Sequence, residues 1–345
     1  MSIETENSYI FTHDGVRDFL LHTGNAIAGE YVELEDRYLA PGLRIRAASD
    51  GSTGEKKWFI TKKAGDKSSG SREEHEHFVS SAPAEMMSSE AKLVVKKRRH
   101  SVITPPSVSV DFQVTVDFVQ SPMRIAVLEV ESTHKGNIQG AVDVLFQEKA
   151  TTLRPCPLDA WRYFKRRIGI CGGPSAGKTE TARKLSYDLN TQLSSNSFHV
   201  TEYATSFIQK YNRNPTIGDQ FFVWFGQRER EANAASRADI VVSDCPTFLS
   251  YIYAKHMNAG VFDERLALFM SKMYKRVLFD LSAYSDIVFL RQVDYHNNGI
   301  RFQTESEAQK ISDAIFTFLR EHRVAFMYTD YRESGSLLRN LFYIN

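Results

Sequence analysis

Short runs of alternating polar and apolar residues dominate the chain up to about residue 135. Examples are the runs YVELEDRYL, GLRIRAA, VSVDFQVTVDFV and MRIAVLEVE. Successive side chains of a β-strand point to opposite faces, so alternation with a period of two predicts strands. Turn-forming residues lie between several of the runs. The pattern predicts an antiparallel sheet or barrel in this half of the chain.

The remaining residues alternate apolar runs with helical periodicity. The runs RIGIC, ADIVVSD and SDIVFLR have the composition of buried strands, and the clearest helix extends from 304 to 322. Thr304 and Glu307 fit a capping box at its start. The apolar stripe of this helix consists of Ile311, Ala314, Ile315, Phe318 and Leu319. Strands that alternate with helices predict a parallel sheet covered by helices on both faces.

Two prolines mark the change between the two patterns. Pro155 and Pro157 cannot lie inside a regular helix or a central strand, so the chain changes direction there. We therefore predict a first domain over residues 1–147, a linker over 148–165 and a second domain over 166–345. The predicted fold class is a multi-domain α/β protein, with an antiparallel barrel followed by a parallel sheet.

Composition and charge exclude several classes of protein. The 345 residues include 43 Lys and Arg against 42 Asp and Glu, which argues against a general nucleic-acid binder. No apolar run approaches the roughly 18 residues that span a bilayer. The opening MSIETENSYIFTHDG is too polar for a secretory signal, and the three cysteines form no C-x-x-C pair. We expect a cytoplasmic protein without integral membrane association.

The strongest motif follows the strand-like run RIGIC. It fits G-x-x-x-x-G-K-[ST] and comprises Gly172, Gly173, Pro174, Ser175, Ala176, Gly177, Lys178 and Thr179. Glycines let backbone N–H groups turn inward around phosphate oxygens, and the following helix N-terminus adds partial positive charge. Lys178 would reach the β- and γ-phosphates, and the Thr179 hydroxyl would ligate Mg²⁺. The motif predicts a P-loop that binds ATP or GTP with Mg²⁺.

Three further residues stand where a P-loop enzyme needs charged groups. Asp244 ends the run IVVSD, where it would be a Mg²⁺ ligand or catalytic base, or else a turn-capping residue before Pro246. Glu202 follows a strand-like run and would orient a substrate hydroxyl, or else be an exposed carboxylate. Arg301 precedes a helix, where a lid would place a cation over transferring phosphates, or else it is a surface arginine.

In order, these pieces resemble the nicotinamide riboside kinase-like P-loop family over residues 168–330. The matching pieces are GGPSAGKTETARKL, the EYA at 202–204, Asp219 with Gln227 and Glu231, the SD at 243–244, and the NGIR at 298–301. The resemblance implies that Asp244 is the catalytic or metal-binding carboxylate and Arg301 a lid residue. Asn298 departs from the Asp that the family often has there, so substrate identity does not transfer.

Charged residues share a parity in several strands of the first half. In VELEDRYL, Glu33, Glu35 and Arg37 lie on one face, while Leu34 and Asp36 lie on the other. The runs LRIR and LEVE show the same alternation. One interpretation is an ordinary sheet with a solvated face. The other is a barrel whose charges converge inside, which requires water, paired ions, or bound metal and phosphates.

The same segments resemble the CYTH, or triphosphate tunnel metalloenzyme, family over residues 29–132. The matching pieces are Glu33–Arg37, Leu43–Arg46, Ile60–Lys63, Arg72–Glu76, Lys97 with Arg99, Asp117, and Glu129–Glu131. Arg37 replaces the usual Lys, and the register at Lys96 and Lys97 is ambiguous by one residue.

The CYTH resemblance implies a tunnel that binds a triphosphate together with a divalent metal. The implied ligands of Mg²⁺ or Mn²⁺ are Glu33, Glu35, Glu129 and Glu131. The implied phosphate-binding residues are Arg37, Arg44, Arg46, Lys63, Arg72, Lys97 and Arg99. The family includes adenylyl cyclases, so the fold does not fix the reaction.

The sequence thus predicts a bifunctional phosphate enzyme whose partners are nucleotides and triphosphates. The second domain would be an ATP- or GTP-dependent kinase for a hydroxyl on a nucleoside, nucleotide or nucleic-acid component. The first domain would be a metal-dependent triphosphate hydrolase. Two alternatives remain open. One is a GTP-binding switch whose tunnel binds a phosphorylated ligand such as a phosphoinositide, and the other is a triphosphatase and kinase that processes nucleic-acid 5′ ends.

Overall fold

The protein divides into two units, each with its own core. The computed structural model describes residues 2–64, 71–104, 112–132, 138–257, 264–293 and 304–345. The first unit comprises Met1–Lys165, Gln192–Ser195 and Leu338–Asn345, and the second comprises Arg166–Thr191 and Asn196–Leu337. Among the described residues, no helix has the combination of length and apolar character needed to cross a membrane.

The first unit is built on a curled antiparallel sheet. Its strands are β1 (Ser2–Phe11), β2 (Ala26–Ile27), β3 (Val32–Ala40), β4 (Leu43–Asp50), β5 (Lys56–Ala64), β6 (Ser71–Val79), β7 (Leu93–Ile103), β8 (Phe112–Ser121) and β9 (Ile125–Ser132). They pair in the order β2-β7-β3-β4-β5-β6-β1-β9-β8, and β8 pairs again with β7. Because the last strand of the series, β8, pairs with β7 near the other end, the sheet curls and one of its faces turns inward. The predicted antiparallel sheet is confirmed.

Helices cover part of the outer face of this sheet. They are α1 (His13–His22), α2 (Ser81–Ser88), α3 (Ile138–Phe146) and a 3-10 helix (Gln147–Thr152). Helix α4 (Ala160–Phe164) lies on the inner side instead, since Ala160 and Tyr163 line a cavity together with Ser8 of β1 and Asp36 of β3. The outward side chains Tyr9, Val116 and Leu128 pack with Leu20 of α1 and Phe146 of α3. The alternation of β8 and β9 therefore puts an apolar core on the outer face and leaves polar residues for the inner one.

The second unit is a parallel sheet with helices. Its strands are β10 (Arg166–Gly172), β11 (Ser197–Val200), β12 (Ile240–Ser243), β13 (Asp286–Leu290) and β14 (Met327–Thr329), in the order β11-β12-β10-β13-β14. Its helices are α5 (Lys178–Gln192), α6 (Tyr203–Tyr211), α7 (Gln220–Ala235), α8 (Leu249–Met257), α9 (Glu264–Leu281), α10 (Glu305–Glu321) and a 3-10 helix (Tyr331–Ser336). The last helix, α11 (Leu337–Phe342), belongs to the first unit from Leu338 onward. The predicted parallel sheet is confirmed.

Helix α10 forms as its local signals predict. Thr304 accepts a hydrogen bond from the Glu307 backbone, and the Glu307 side chain accepts one from the Thr304 backbone, so the capping box is present. Ile311, Ile315 and Leu319 are buried against the core of the second unit. Capping and one apolar stripe are sufficient to define this helix from sequence.

Candidate functional site

The P-loop motif forms a tight turn between β10 and α5. Gly172 has φ 146° and Gly177 has φ 82°, which are conformations that side chains other than glycine rarely adopt. A Cβ on Gly172 would lie 2.4 Å from the Leu290 carbonyl oxygen, so only glycine fits there. Lys178 Nζ donates to the carbonyls of Gly172 and Gly173 at 3.1 and 2.8 Å. The loop thus holds its lysine over the turn where a phosphate chain would lie.

A cavity of about 570 Å³ opens beside this loop. Its polar wall comprises the loop residues Pro174–Thr179 together with Glu180, Glu202 and Asp244. An apolar wall comprises Ile208, Val223, Tyr253 and Met257. The structure therefore brings together Lys178, Thr179, Glu202 and Asp244, while Gly172 and Gly173 form the base of the turn. Arg301 and Asn298 lie outside the described residues.

Asp244 follows β12 and is only 1% exposed. Its Oδ2 lies 3.2 Å from His199 Nε2, and its Oδ1 has no hydrogen-bond partner among the described residues. A buried carboxylate oxygen without a partner is costly unless a cation or donor meets it. The Asp244 carboxylate and the Thr179 hydroxyl, which line the same cavity, are hard oxygen donors that fit Mg²⁺. The described residues contain no cluster of three or more His, Cys, Asp or Glu side chains suited to a metal.

Glu202 lies at the N-terminal end of α6 and points into the cavity lining. Its Oε2 accepts from Thr205 Oγ1 at 2.9 Å, and Cys245 Sγ lies 3.7 Å from its Oε1. Burial raises the pKa of the Cys245 thiol, and the carboxylates of Glu202 and Asp244 raise it further. Cys245 is therefore a neutral thiol between two carboxylates and not a nucleophile.

Side chains of helix α7 form hydrogen bonds with the residues next to Glu202 and Asp244. Gln227 Oε1 accepts from the Tyr203 backbone N–H at 2.8 Å, and Gln227 Nε2 donates to Ser243 Oγ at 3.2 Å. Ser243 Oγ donates in turn to the fully buried Glu231 at 2.6 Å. Burial raises the pKa of Glu231, although Ser243 and Tyr284 donate to it. One helix thus fixes the residues beside both Glu202 and Asp244.

Asp219 does not reach the cavity lining. It accepts hydrogen bonds from Arg213 and Thr216 and precedes α7. These bonds, first of all the one from Arg213, hold the pKa of Asp219 well below its usual range. Asp219 therefore shapes the segment that leads into α7.

The first unit holds a separate charged cavity of about 220 Å³ on the inner face of its sheet. Predicted residues that line it are Arg44, Arg46, Lys63, Lys97, Arg99, Glu129 and Glu131. Glu6, Tyr38 and Asp159 also line it, and the sequence analysis missed them. Glu74 and Glu76, which share the parity of Arg72, complete the acidic lining. The Arg72 side chain lies outside the described residues.

The structure does not bring Glu33, Glu35 and Arg37 into this cavity. On β3 the inward set is Leu34, Asp36 and Tyr38, so the three predicted residues point outward. Glu33 lies 3.2 Å from Arg98, both being about half exposed, and Glu35 pairs with Arg37. The sequence pattern correctly shows that these three residues share a face of β3. That face points outward, because the curled sheet buries the other face, which carries Leu34 and Tyr38. The predicted set of four metal-binding carboxylates is not assembled.

Asp36 is the buried anion that the prediction missed. Its carboxylate accepts from Arg46 at 2.6 and 2.9 Å and from Arg44 at 3.4 Å, and Lys97 lies 3.8 Å away. Burial alone would raise the pKa of Asp36, but Arg44 and Arg46 outweigh it and hold that pKa well below its usual range. Asp36 thereby fixes two arginines that line the cavity.

A second buried carboxylate, Asp117, holds the cations of β7. Asp117 accepts from Lys97 and, at 2.7 Å, from both Nε and Nη2 of Arg99. Burial lowers the pKa of Lys97 even though Asp117 opposes the shift. Lys97 faces inward in regular alternation with Val95 and Arg99, while Lys96 is 56% exposed. The cations are thus fixed before any ligand arrives.

Comparison with known proteins gives a family match within the second unit. Residues 167–333 match a family model described as an AAA domain. Among solved structures, a NadR protein in complex with NAD and AMP-PNP shares 15% identity over 54% of this chain and 51% of its own, with a TM-score of 0.43.

Two further structures show weaker similarity. The PH1012 protein from Pyrococcus horikoshii shares 19% identity over 45% of this chain and 96% of its own, with a TM-score of 0.34. A putative adenylate cyclase from Bacillus halodurans shares 14% identity over 48% of this chain and 100% of its own, with a TM-score of 0.31. No match to a curated protein was found. Residues 167–333 are therefore similar to P-loop NTPase domains, and that similarity implies nucleotide binding.

Proposed function

We propose that the second unit is a phosphotransferase. It would move the γ-phosphoryl group of ATP or GTP to a hydroxyl of a nucleoside, a nucleotide or a nucleic-acid component. One observation carries the proposal: the P-loop, Asp244 and Glu202 line a single cavity that also has an apolar wall. A protein that only binds a nucleotide needs a cavity for that nucleotide, whereas a kinase also needs space for an acceptor beside it.

The P-loop residues would hold the donor nucleotide. Backbone N–H groups of the loop and Lys178 would bind the phosphates, and Lys178 would stabilise charge that develops on the transferred group. Thr179 and Asp244 would hold Mg²⁺, which supplies charge neutralisation at the phosphate oxygens when it is bound. Asp244 suits this role because its buried Oδ1 has no other partner among the described residues.

Glu202 would orient the acceptor. Its carboxylate lies at the start of α6 and lines the same cavity as the loop and the apolar wall, which supports this role. It would accept the hydroxyl hydrogen bond and so align the attacking oxygen with the γ-phosphorus. Ile208, Val223 and Tyr253 would pack against the planar or apolar part of the acceptor. Arg301 remains a predicted lid cation.

The test is a transfer assay with labelled ATP and GTP. Acceptors would be free nucleosides, mononucleotides, and DNA or RNA with 5′-hydroxyl ends. We expect label on one acceptor class with the full chain and none with Lys178→Ala. The control is Lys184→Ala on the same helix, because Lys184 pairs with Asp188 and is 43% exposed. Tight GTP binding without label on any acceptor would replace the kinase by the switch interpretation.

For the first unit we propose triphosphate binding and hydrolysis. The observation that favours it is the convergence of five cations, Arg44, Arg46, Lys63, Lys97 and Arg99, in one small cavity. Such a lining suits a polyanion. Glu129 and Glu131 would bind Mg²⁺ or Mn²⁺ that arrives with the triphosphate, since Mg²⁺ is usually held by one or two carboxylates plus phosphates.

Phosphate release from triphosphate and nucleoside triphosphates, with Mg²⁺ or Mn²⁺, tests this second proposal. We expect release with the full chain and loss of release with Glu129→Gln and Glu131→Gln together. Binding of the triphosphate without phosphate release would mean that the cavity only binds its ligand, as in the switch interpretation. Release from 5′-triphosphate RNA alone, with label transferred only to 5′-hydroxyl ends, would favour end processing.

A further inference from the structure

The outer face of β7 carries a second concentration of positive charge. Alternation along the strand sends Lys97 and Arg99 into the charged cavity and Arg98 and His100 to the opposite face. There a separate depression of about 510 Å³ opens against α1. We call it the outer basic pocket. Its charged and ring-bearing lining comprises His13, Arg17, Tyr31, Arg98, His100 and Arg124, with Phe118 at the base.

The charge of the outer basic pocket is one-sided. None of the described residues that line it is Asp or Glu, whereas the charged cavity mixes acids and bases. Arg17 and Arg124 have no ion-pair partner among the described residues. Arg98 has one, Glu33 at 3.2 Å, but both side chains are about half exposed and such a pair contributes little. The pocket therefore attracts an anion.

Its cationic side chains are already held in place. Arg17 lies 5.1 Å over the ring of Phe118, and Arg98 lies 5.0 Å over the ring of Tyr31. His13 and Arg17 are four residues apart on α1 and so share a helix face. Cation–π contacts fix guanidinium groups without occupying their N–H donors, which lowers the entropy cost of binding a ligand.

The two histidines are also fixed. His13 Nε2 lies 3.0 Å from the carbonyl oxygens of both Val119 and Ile125, so Nε2 carries the proton. His100 Nδ1 lies 2.9 Å from the Ala28 carbonyl oxygen, so this nitrogen is engaged in a hydrogen bond to the backbone. Both rings stand edge-on to Phe118, at 5.2 and 5.6 Å between centroids. Three arginines and two oriented imidazoles thus line the outer basic pocket.

We propose that the outer basic pocket binds a phosphate monoester. The dianion has three terminal oxygens, which matches several guanidinium forks, whereas a carboxylate offers only two. The volume admits a phosphate with an attached organic group. The site lies outside both cavities of the proposed function and does not depend on it.

The test compares three versions of the full chain, in the absence of Mg²⁺. They are the wild type, Arg17→Gln with Arg98→Gln, and the charge-matched control Lys62→Gln with Lys92→Gln, whose lysines are exposed on the same unit outside the pocket. The probes are inorganic phosphate and AMP, followed by affinity and by the NMR signals of the His13 and His100 rings. Thermal unfolding confirms that each version is folded.

We expect phosphate and AMP to shift both ring signals in the wild type and in the control. In the arginine variant the affinity at these rings should fall by about tenfold or more, because the substitutions remove charge-assisted hydrogen bonds to the phosphate. Ring signals that ignore both probes at saturating concentration would overturn the proposal. Equal ring-reported affinity in the three versions would overturn it as well.

A vesicle experiment then identifies the carrier of the phosphate. Vesicles of phosphatidylcholine with and without phosphatidic acid present the same monoester on a lipid surface. Binding that needs phosphatidic acid and is lost in the arginine variant supports a lipid-borne ligand, and AMP binding without vesicle binding supports a soluble one. Vesicle binding that the arginine variant and the lysine control retain equally would show that the pocket does not recognise the lipid monoester.

Discussion

Asp36 shows how one buried carboxylate organises a cationic cavity. It is 1% exposed and holds Arg44 and Arg46, with Lys97 close by. Asp36→Asn keeps the shape but leaves these cations without their counter-charge. Removing one partner of a buried ion pair costs about 3–5 kcal/mol, so we expect the first unit to unfold at lower temperature or denaturant concentration.

The lowered pKa of Asp36 predicts that the stability of the first unit depends on pH. The pKa of Asp36 in the folded protein is lowered, so its stabilising contribution is complete above the ordinary Asp value of about 3.9 and is lost as pH falls toward the folded value. The difference in unfolding free energy between wild type and Asp36→Asn should therefore shrink below about pH 4. Denaturant titrations at several pH values measure it. Asp143→Asn, at an exposed position on α3, is the control, and a pH-independent difference would contradict the argument.

Gly177 gives a test of the P-loop backbone. A Cβ there would lie 2.7 Å from Tyr331 Cβ, and the residue has φ 82°. Gly24 has φ 73° with no atom within 4 Å of such a Cβ. Alanine at either position costs about 1–2 kcal/mol through the backbone. Only Gly177→Ala should also displace the loop and lower nucleotide affinity, which titration of each variant with ATP and GTP would show. Equal affinity in both variants would mean that the clash is relieved elsewhere.

Residue patterns identified the P-loop lysine but not the inward face of β3. The G-x-x-x-x-G-K-T spacing is local, and each glycine has a local conformational reason. Alternation tells which residues of β3 share a face, whereas the choice of face depends on pairing with β4 and β7. Glu33 and Asp36 are equally charged in the sequence, and only the curled sheet buries one and exposes the other.

At the scale of elements, α7 positions residues of the proposed active site through hydrogen bonds. Gln227 joins the Tyr203 backbone to Ser243, and these residues neighbour Glu202 and Asp244. Gln227→Ala removes both hydrogen bonds and leaves buried groups unpaired, at a cost of about 1–3 kcal/mol. We expect kcat for phosphoryl transfer to fall by about tenfold, as when the hydrogen-bonded support of a site is removed.

The KM for the donor nucleotide should change little in Gln227→Ala, because Gln227 is not among the residues that line the cavity. Steady-state kinetics with varied ATP or GTP separates the two effects. Asn233→Ala, on the exposed side of the same helix, is the matched control and should leave both constants unchanged. A rise in KM without a change in kcat would instead place Gln227 in donor binding.

Elements with complete local signals were predictable, and those that depend on distant pairing were not. The helix from 304 to 322 carries its own cap and stripe, and it forms as α10. The pairing of β1 with both β6 and β9 joins residues separated by many tens of positions along the chain. No local pattern encodes that pairing, and it is what turns the inner face of the sheet into a cavity.

At the scale of the whole molecule, each of the two cavities for which a function is proposed lies inside a unit with its own core. Substitutions in one cavity leave the contacts of the other core unchanged, so their effects should be independent. Lys178→Ala should abolish phosphoryl transfer and spare triphosphate hydrolysis. Glu129→Gln with Glu131→Gln should do the reverse.

Glu33→Ala with Glu35→Ala is the informative control for this separation, because both carboxylates point away from the charged cavity. Hydrolysis should therefore survive in that variant, and its loss would show that the outward face of β3 takes part in the reaction. The measurement is phosphate release and acceptor labelling on the same preparations. If Lys178→Ala abolished both activities, the triphosphate would be consumed at the P-loop, and the cavity of the first unit would bind its ligand without turnover.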